Sequence, residues 1–414
     1  MDMDVDMEAD MLFGMDVDAT PQKAREKLPA EDFDEPEPPD WAGRLHQIVF
    51  MHTLPSKSNT FQTLLSESSS LGDDTAAYNR ASSAILDALG SLSKSNDADT
   101  LMRTVSRALL QMANLLHSHN LVSSFTALLN LLTTLIISIP RFIDTLFASP
   151  VNISHRDAPP PDLLATLCHG VVIHLTPDRL RGKDIIVDRT DHIDLAKELV
   201  TLLDAIIWSV PTDYETRLNT IPRTAGVFST LLNPAHSKWF LRQSTRLVSL
   251  LTTRTNNFRH LLSFPDGASE QTNTQKDYTS IPHIDQMCAL LSDPKKSGSD
   301  ADVMRHHILS FFTLLATSHP DALTILAESK NLLPSLVVHL CDLTTPLWEE
   351  DAALMSAPAQ IDVTIEAITH TLLLLHYLVF RPEQPPSLRQ KLHQARHING
   401  IHHTFVVTLG RLAC

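Results

Sequence analysis

The stretch Leu101–Leu116, LMRTVSRALLQMANLL, decides the fold class of this chain. Its apolar residues return every three or four positions, and that spacing places them on one face of an α-helix. Three later stretches repeat the pattern. Because each apolar stripe must be buried against another element, the spacing predicts a body of packed helices. The four stripes are Leu101, Val105, Leu109, Met112 and Leu116; Leu195, Leu199, Leu202 and Ile206; Met304, Ile308, Phe311 and Leu315; and Ile361, Ile365, Ile368, Leu372 and Leu375.

Composition also favours helices. The 414 residues include 63 leucines, but only 11 glycines and 6% aromatic residues. Leucine is a strong helix former, and the turn residues that a many-stranded sheet needs are scarce. Only Asp184–Asp188 (DIIVD) predicts a short extended piece. The composition therefore predicts an all-α body.

A short internal repeat indicates how the helices are joined. Ser58–Ser66 (SNTFQTLLS) and Thr255–Ser263 (TNNFRHLLS) share Asn, Phe two positions later, then Leu-Leu and Ser, and Pro140–Phe147 and Pro320–Ala327 follow this frame more loosely. The frame predicts a long helix, a tight turn and a short amphipathic helix. Such pairs bury their apolar faces by stacking on neighbouring pairs. We predict an all-α fold, an irregular HEAT/armadillo-like α-solenoid, with an irregular helical bundle as the alternative.

Charge divides the chain at residue 40. Residues 1–40 hold 14 acidic and three basic side chains, and they carry −11 of the formal net charge of −15. Such a segment buries too little apolar surface to offset the entropy of ordering. We expect a disordered acidic N-terminal tail over 1–40 and the α-solenoid over 41–414, with a candidate sub-boundary in the loop 265–282.

Within the tail, the sequence Asp10–Asp16 (DMLFGMD) places three consecutive apolar residues between acidic flanks. Segments of this kind fold as short helices into basic grooves of partner proteins. We expect this motif to bind a protein, and an inert solubilising tail is the alternative. The residues proposed to make contact are Asp10, Met11, Leu12, Phe13 and Asp16.

From Thr216 to Pro265 the balance of charge reverses. This stretch holds seven Lys or Arg residues and no acidic residue. It predicts a basic docking face for an acidic partner, for nucleic acid or for the chain's own tail, and a solvated helix edge is the alternative. The residues of this face are Lys238, Arg242, Arg246, Arg254 and Arg259.

The short motifs of catalysis and phosphate binding are absent from the sequence. No two glycines lie within nine residues of each other, which excludes GxGxxG and the phosphate-binding loop, and GxSxG and HExxH are also missing. His393, His397, His402 and His403 cluster, but Gly400 interrupts them and no Asp, Glu or Cys joins them. We expect a protein that is not an enzyme and that has no metal or other cofactor.

Cysteine spacing and hydropathy bear on location. The four cysteines form no CxxC pair, and the chain begins without a secretory leader, so we expect free thiols in the cytosol or nucleus. The longest apolar run, Leu131–Ile139, is too short to span a bilayer. We expect a soluble protein with no membrane partner.

Three stretches resemble a known family. They are His46–Ser66 (HQIVFMHTLPSKSNTFQTLLS), Ser249–Asp266 (SLLTTRTNNFRHLLSFPD) and Ala395–Cys414 (ARHINGIHHTFVVTLGRLAC), and they resemble the helical region of fungal ATR-interacting proteins. The resemblance covers residues 41–414. It implies a nuclear, non-catalytic subunit of a DNA-damage checkpoint kinase, with an α-solenoid that binds a large checkpoint kinase of the ATR type. It also implies that the acidic motif, here Asp10–Asp16, recruits the complex to single-stranded DNA coated with replication protein A.

One part of the family pattern is missing. The family places a coiled coil between the acidic motif and the solenoid, whereas here residues 19–40 contain five prolines and no heptad repeat. We therefore do not expect coiled-coil dimerisation. The alternative function is an unrelated α-solenoid adaptor in transport or in assembly of a cytoplasmic complex. Neither function involves sequence-specific binding of nucleic acid.

Overall fold

Twenty-one α-helices make up most of the regular structure in this computed structural model, which describes residues 40–54, 59–90, 97–148, 162–181, 188–265, 279–394 and 400–413. Within those ranges there is no β-strand, only one isolated bridge between Thr53 and Asn59. The predicted all-α class is confirmed. The tail predicted over 1–40 (except Asp40), the extended piece predicted at 184–188 (except Asp188, which starts α9) and most of the loop 265–282 lie outside the described residues.

Apart from Asp40, the described residues belong to one compact unit, Trp41–Cys414. Four short 3-10 helices accompany the α-helices: η1 Glu67–Ser70, η2 Gly72–Asp74, η3 Thr212–Asn219 and η4 Thr255–Asn257. The α-helices are α1 Trp41–Met51, α2 Thr60–Ser66, α3 Thr75–Gly90, α4 Ala98–Ser118, α5 Val122–Ser138, α6 Phe142–Phe147, α7 Leu163–His174, α8 Pro177–Arg181, α9 Asp188–Ser209, α10 Thr220–Arg223, α11 Val227–Leu231, α12 Lys238–Thr252, α13 Phe258–Leu261, α14 Pro282–Leu291, α15 Ser299–Ser318, α16 Pro320–Glu328, α17 Leu332–Trp348, α18 Ala352–Met355, α19 Pro358–Phe380, α20 Leu388–Gln394 and α21 Ile401–Ala413.

Three of the four predicted apolar stripes are buried. Every stripe residue of α4, α9 and α15 is at most 8% exposed. The stripe predicted on α19 is wrong in part, because Ile365 is 50% exposed while Thr364 and Thr371 are buried. Both threonine hydroxyls donate to carbonyls of the same helix, so they can be buried at little cost. Since α19 carries apolar residues on several sides, spacing alone does not select the buried side.

Ten of the helices pack as five successive pairs: α4/α5, α7/α9, α11/α12, α14/α15 and α17/α19. The first helix of each pair contacts the first helix of the next pair, and the second helices do the same. Along α12 and α15 the polar contacts run in the same order, from Arg242 with Asp300 at 2.8 Å to Thr245 with His307 at 3.5 Å. These two second helices therefore run in the same direction.

The two close copies of the internal repeat form short helices that differ in their caps. Asn59 caps α2, and its side chain accepts a backbone N–H at 3.1 Å. In the second copy the chain passes through η4 into α13, and Asn256 instead donates to Glu215 at 3.0 Å. The first leucine of the shared Leu-Leu pair, Leu64 or Leu261, is fully buried in each copy. The repeat thus predicts the short helices and their buried side chains, but not their polar contacts.

Among the described helices, α19 is the one that is long and apolar enough to cross a bilayer by length and composition. It packs against α15, α16, α17 and α18, and it carries Asp362 and Glu366. Core helices of soluble proteins also meet this test, so the finding assigns no membrane span.

Candidate protein-binding groove

The predicted basic docking face lies on α12, in the turn that follows it and on α13, and several of its cations contact other elements. Arg242 lies 2.8 Å from the carboxylate of Asp300, and Arg246 lies 3.5 Å from that of Asp204. Lys238 donates to a backbone carbonyl in the loop between α14 and α15. We call residues 216–265 the basic segment. Part of its positive charge, on Arg242 and Arg246, is therefore offset in space by carboxylates of neighbouring helices.

Arg254 has the most contacts of these cations. Its side chain is 20% exposed and lies 3.1 Å from Oε1 of Glu215, whose side chain is 9% exposed. It also donates to the carbonyls of Ile207 and Trp208, at 2.6 and 2.9 Å, near the end of α9. The last carbonyls of a helix lack a partner within the helix. Arg254 therefore caps α9 and neutralises a buried carboxylate.

Arg259 makes a different kind of contact. Its guanidinium carbon lies 5.7 Å from the ring centroid of Phe258. No carboxylate of the described residues forms an ion pair with Arg259, so its charge is held only by this cation–π contact. The docking role of the five predicted residues stays a prediction, and Lys238 and Arg259 are the two whose described contacts include no carboxylate.

A groove of about 510 Å³ lies between α15, α17 and α19, with α18 at one end. Val303 of α15 and Val363 of α19 line it and remain 40% and 53% exposed, so the apolar lining continues onto the surface. Contiguous apolar surface of this kind is typical of binding grooves. The apolar lining residues are Val303, Leu309, Leu343, Pro346, Leu354, Val363 and Ala367.

The turn from α17 to α18 closes one end of the groove. Pro346 lies in the last turn of α17 and, without an N–H, cannot donate the helical hydrogen bond to the carbonyl of Asp342, four residues earlier. Glu350 then adopts a left-handed conformation with φ 52°, which ends the helix and reverses the chain. The side chain of Asp351 accepts the backbone N–H groups of Ala353 and Leu354 and so starts α18. This local sequence positions Leu354 against the groove.

Arg305 is the one Lys or Arg among the lining residues. Its side chain is 16% exposed, lies 3.2 Å from Asp302, and donates to the backbone carbonyls of Asp293 and Lys296. Beside it, burial lowers the pKa of His339 to about 3, and the charge of Arg305 adds to that shift. His339 is therefore neutral at physiological pH, and Arg305 holds a loop in place.

The helices α17, α18 and α19 fall within a stretch, 331–380, that contains six acidic residues and no Lys or Arg. We call it the acidic segment. All six residues are exposed, and within the described part of the chain none forms an ion pair within 4.0 Å. The groove is therefore bordered by carboxylates without ion-pair partners among the described residues, although burial raises the pKa of Asp342 and the charge of Arg305 acts against that shift. The six residues are Asp342, Glu349, Glu350, Asp351, Asp362 and Glu366.

Sequence reasoning did not find this groove. The signal that was available is the absence of Lys and Arg over fifty residues that also hold a long apolar helix. That signal predicts negative charge but does not predict the groove, because one wall of the groove is formed by α15, with Val303, which lies outside the segment.

Histidines also come together in the structure. His117 Nε2 lies 2.8 Å from His169 Nδ1, and the His174 ring lies 5.4 Å from that of His117 and 6.1 Å from that of His192. Burial is the main cause that lowers the pKa of His174 to about 4. Within the described residues no group of three or more His, Cys, Asp or Glu has the arrangement of a metal site.

The histidine cluster noted near the end of the sequence is described in part. The rings of His393 and His402 stack with centroids 5.5 Å apart, while His397 lies outside the described residues. Cys168, Cys288 and Cys341 carry free thiols.

The proposed contact residues of the tail, Asp10, Met11, Leu12, Phe13 and Asp16, lie outside the described residues. The resemblance to ATR-interacting proteins stays a prediction. Comparison of the chain with protein-family models, with curated proteins and with solved structures found no match.

Proposed function

We propose that this protein is a non-catalytic scaffold whose helical body is an α-solenoid that binds other proteins. The observation that carries the proposal is the packing order of the five helix pairs, first helix on first and second on second. Stacked helix pairs in this order are typical of HEAT-like repeats, which offer long surfaces to partners. The groove beside α19 is one such surface.

The resemblance to fungal ATR-interacting proteins supplies the partners in this proposal. The helical body binds a large checkpoint kinase of the ATR type, and the acidic motif Asp10–Asp16 binds replication protein A. The protein then acts in the nucleus and recruits the kinase to single-stranded DNA that replication protein A covers. The charge of the motif supports this role, because acidic flanks favour association with a basic groove.

Co-purification of the tagged full chain with the kinase and with replication protein A tests the proposal. The double variant Leu12→Ala/Phe13→Ala should lose replication protein A and keep the kinase. Circular dichroism of the wild-type chain and of the double variant confirms that both proteins are helical. If the folded wild-type chain co-purifies with neither the kinase nor replication protein A, the proposal is contradicted. Stable association with a transport or cytoplasmic complex, unchanged by the double variant, would favour the unrelated adaptor instead.

A further inference from the structure

We propose that the groove between α15, α17 and α19 binds a basic amphipathic helix of a partner protein. The inference rests on the proposed scaffold function and adds the chemistry of the partner. It is carried by three features of the described residues: an exposed apolar lining, carboxylates without ion-pair partners around it, and a single basic lining residue that is already engaged.

The apolar lining fits one face of a helix. The lining residues of α19 run from Gln360 to His370, which is about 15 Å at 1.5 Å per residue, or about three helical turns. Val363 on one wall and Val303 on the other are both exposed, and Met355, next to the lining residue Leu354, is 41% exposed. A bound helix that places apolar residues at positions i, i+3, i+4 and i+7 would cover this surface.

The negative charge around the groove favours a partner helix that carries positive charge. The acidic segment carries six exposed carboxylates without ion pairs in the described part of the chain. Arg305 interacts electrostatically with one of them, Asp342, but it is mostly buried and is bound to Asp302 and two backbone carbonyls, so it adds little positive charge to the surface. A partner with Lys or Arg beside its apolar face is attracted, whereas an acidic helix or a nucleic acid is repelled.

Two occupants from the same chain fit less well. The motif Asp10–Asp16 is acidic and would meet charge of its own sign. In the basic segment of a second copy, Arg242, Arg246 and Arg254 already pair with carboxylates of their own chain. A helix from a different protein is therefore the occupant that the charges favour.

Val363 and Ile365 offer a matched pair of variants. They lie two residues apart on α19 and are 53% and 50% exposed, but Val363 lines the groove and Ile365 does not. Val363→Asp and Ile365→Asp add the same charge to the same helix. Because both side chains are half-exposed, neither change should prevent folding.

The probe is a labelled peptide of about 15 residues with leucines on one helical face and lysines on the other. Its controls are the same composition in scrambled order and the same pattern with Glu in place of Lys. Fluorescence anisotropy with the full chain should show binding of the basic amphipathic peptide alone. Val363→Asp should raise its Kd about tenfold, and Ile365→Asp less than about twofold.

A second variant tests the charge. The triple change Glu349→Gln/Glu350→Gln/Glu366→Gln should weaken binding and reduce its dependence on salt between about 50 and about 300 mM NaCl. The control Asp73→Asn/Asp87→Asn/Asp99→Asn removes the same charge at exposed positions elsewhere and should leave the Kd unchanged.

Several results would overturn the proposal: no binding of the basic peptide, equal binding of the acidic or scrambled peptide, or equal effects of Val363→Asp and Ile365→Asp. A dimer in sedimentation experiments that Val363→Asp abolishes would assign the groove to a second copy and also overturn it. If these tests fail while the full chain still co-purifies with the kinase, the groove proposal fails and the scaffold proposal stands.

Discussion

The basic segment, 216–265, and the acidic segment, 331–380, are each fifty residues long and each carry charge of one sign. In the basic segment, Arg242, Arg246 and Arg254 find carboxylates on neighbouring elements. In the acidic segment, no carboxylate has an ion-pair partner within the described residues. A run of like charge along a sequence therefore does not determine the charge of the surface, because the counter-charges come from elements that are distant in sequence.

The position of each segment among the helices accounts for the difference. In the basic segment, α12 lies between α9 and α15, and both of those helices present a carboxylate to it. In the acidic segment, α19 packs chiefly on α15, α16, α17 and α18, and two of those four helices belong to the same segment, which has no cation to offer. The other long helix, α17, also packs on α21, but Arg411 of α21 lies over the ring of Trp348, with its guanidinium carbon 5.7 Å from the ring centroid. Pairing in the first case offsets the charge of the basic segment, and its absence in the second leaves exposed carboxylates at the surface.

The largest effect is expected for Arg254→Ala. Removing this guanidinium leaves Glu215 buried without its cation and leaves two carbonyls at the end of α9 without their donor. We expect the free energy of unfolding to fall by about 3–5 kcal/mol. Urea denaturation followed by circular dichroism measures it. Arg259→Ala is the control from the same segment and should cost less than about 1 kcal/mol, because Arg259 contacts an aromatic ring. Equal effects of the two changes would remove the structural role assigned to Arg254.

Asp204→Asn should have a smaller effect of the opposite sign. Burial raises the pKa of Asp204 to about 6, although Arg246 opposes the shift. Because the native pKa exceeds the unfolded value, the buried carboxylate destabilises the native state increasingly as pH rises from about 4 to about 6. The variant should therefore be more stable by about 2 kcal/mol at pH 7 and no more stable near pH 3. Urea denaturation at both pH values checks this, and a loss of stability at pH 7 would show that the pair with Arg246 outweighs the burial of the charge.

A still smaller loss is expected for Arg242→Ala. The side chains of Arg242 and Asp300 are 40% and 35% exposed, so water screens their ion pair. We expect a loss of about 0.5 kcal/mol that disappears at high salt. Thermal unfolding at low and high NaCl concentration measures it. A loss of stability as large as that of Arg254→Ala would mean that the exposure of an ion pair does not determine how much it stabilises this fold.

The smallest effect on stability is expected in the acidic segment. Glu349→Gln/Glu350→Gln/Glu366→Gln removes three exposed charges that have no ion-pair partner in the described structure. The free energy of unfolding should change by less than about 0.5 kcal/mol. Urea denaturation of this triple variant and of Arg254→Ala under the same conditions compares the free energies of unfolding for the two segments. A large loss would show that these carboxylates stabilise the fold through contacts of their own.

The sequence predicts local structure better than it predicts the groove. The helices α4, α9 and α15 follow from spacing because each has a single apolar face, and all their stripe residues are buried. The spacing predicted that Ile365 is buried, whereas it is 50% exposed, because α19 is apolar on more than one side. The groove depends on which helices meet, and Val303 and Val363 are sixty residues apart in sequence. For the same reason the pairing of Arg242 with Asp300, fifty-eight residues away, could not be predicted.

Carboxylate footprinting of the full chain is the most direct test of the contrast between the segments. The protein is labelled with a carbodiimide and a small amine, and mass spectrometry then gives the rate at each Asp and Glu. We predict fast labelling of Glu349, Glu350 and Glu366, which are exposed, and slow labelling of Glu215 and Asp204, whose side chains are 9% and 14% exposed. Slow labelling in the acidic segment, or rates as fast at Glu215 and Asp204, would contradict the division into a paired basic segment and an open acidic one.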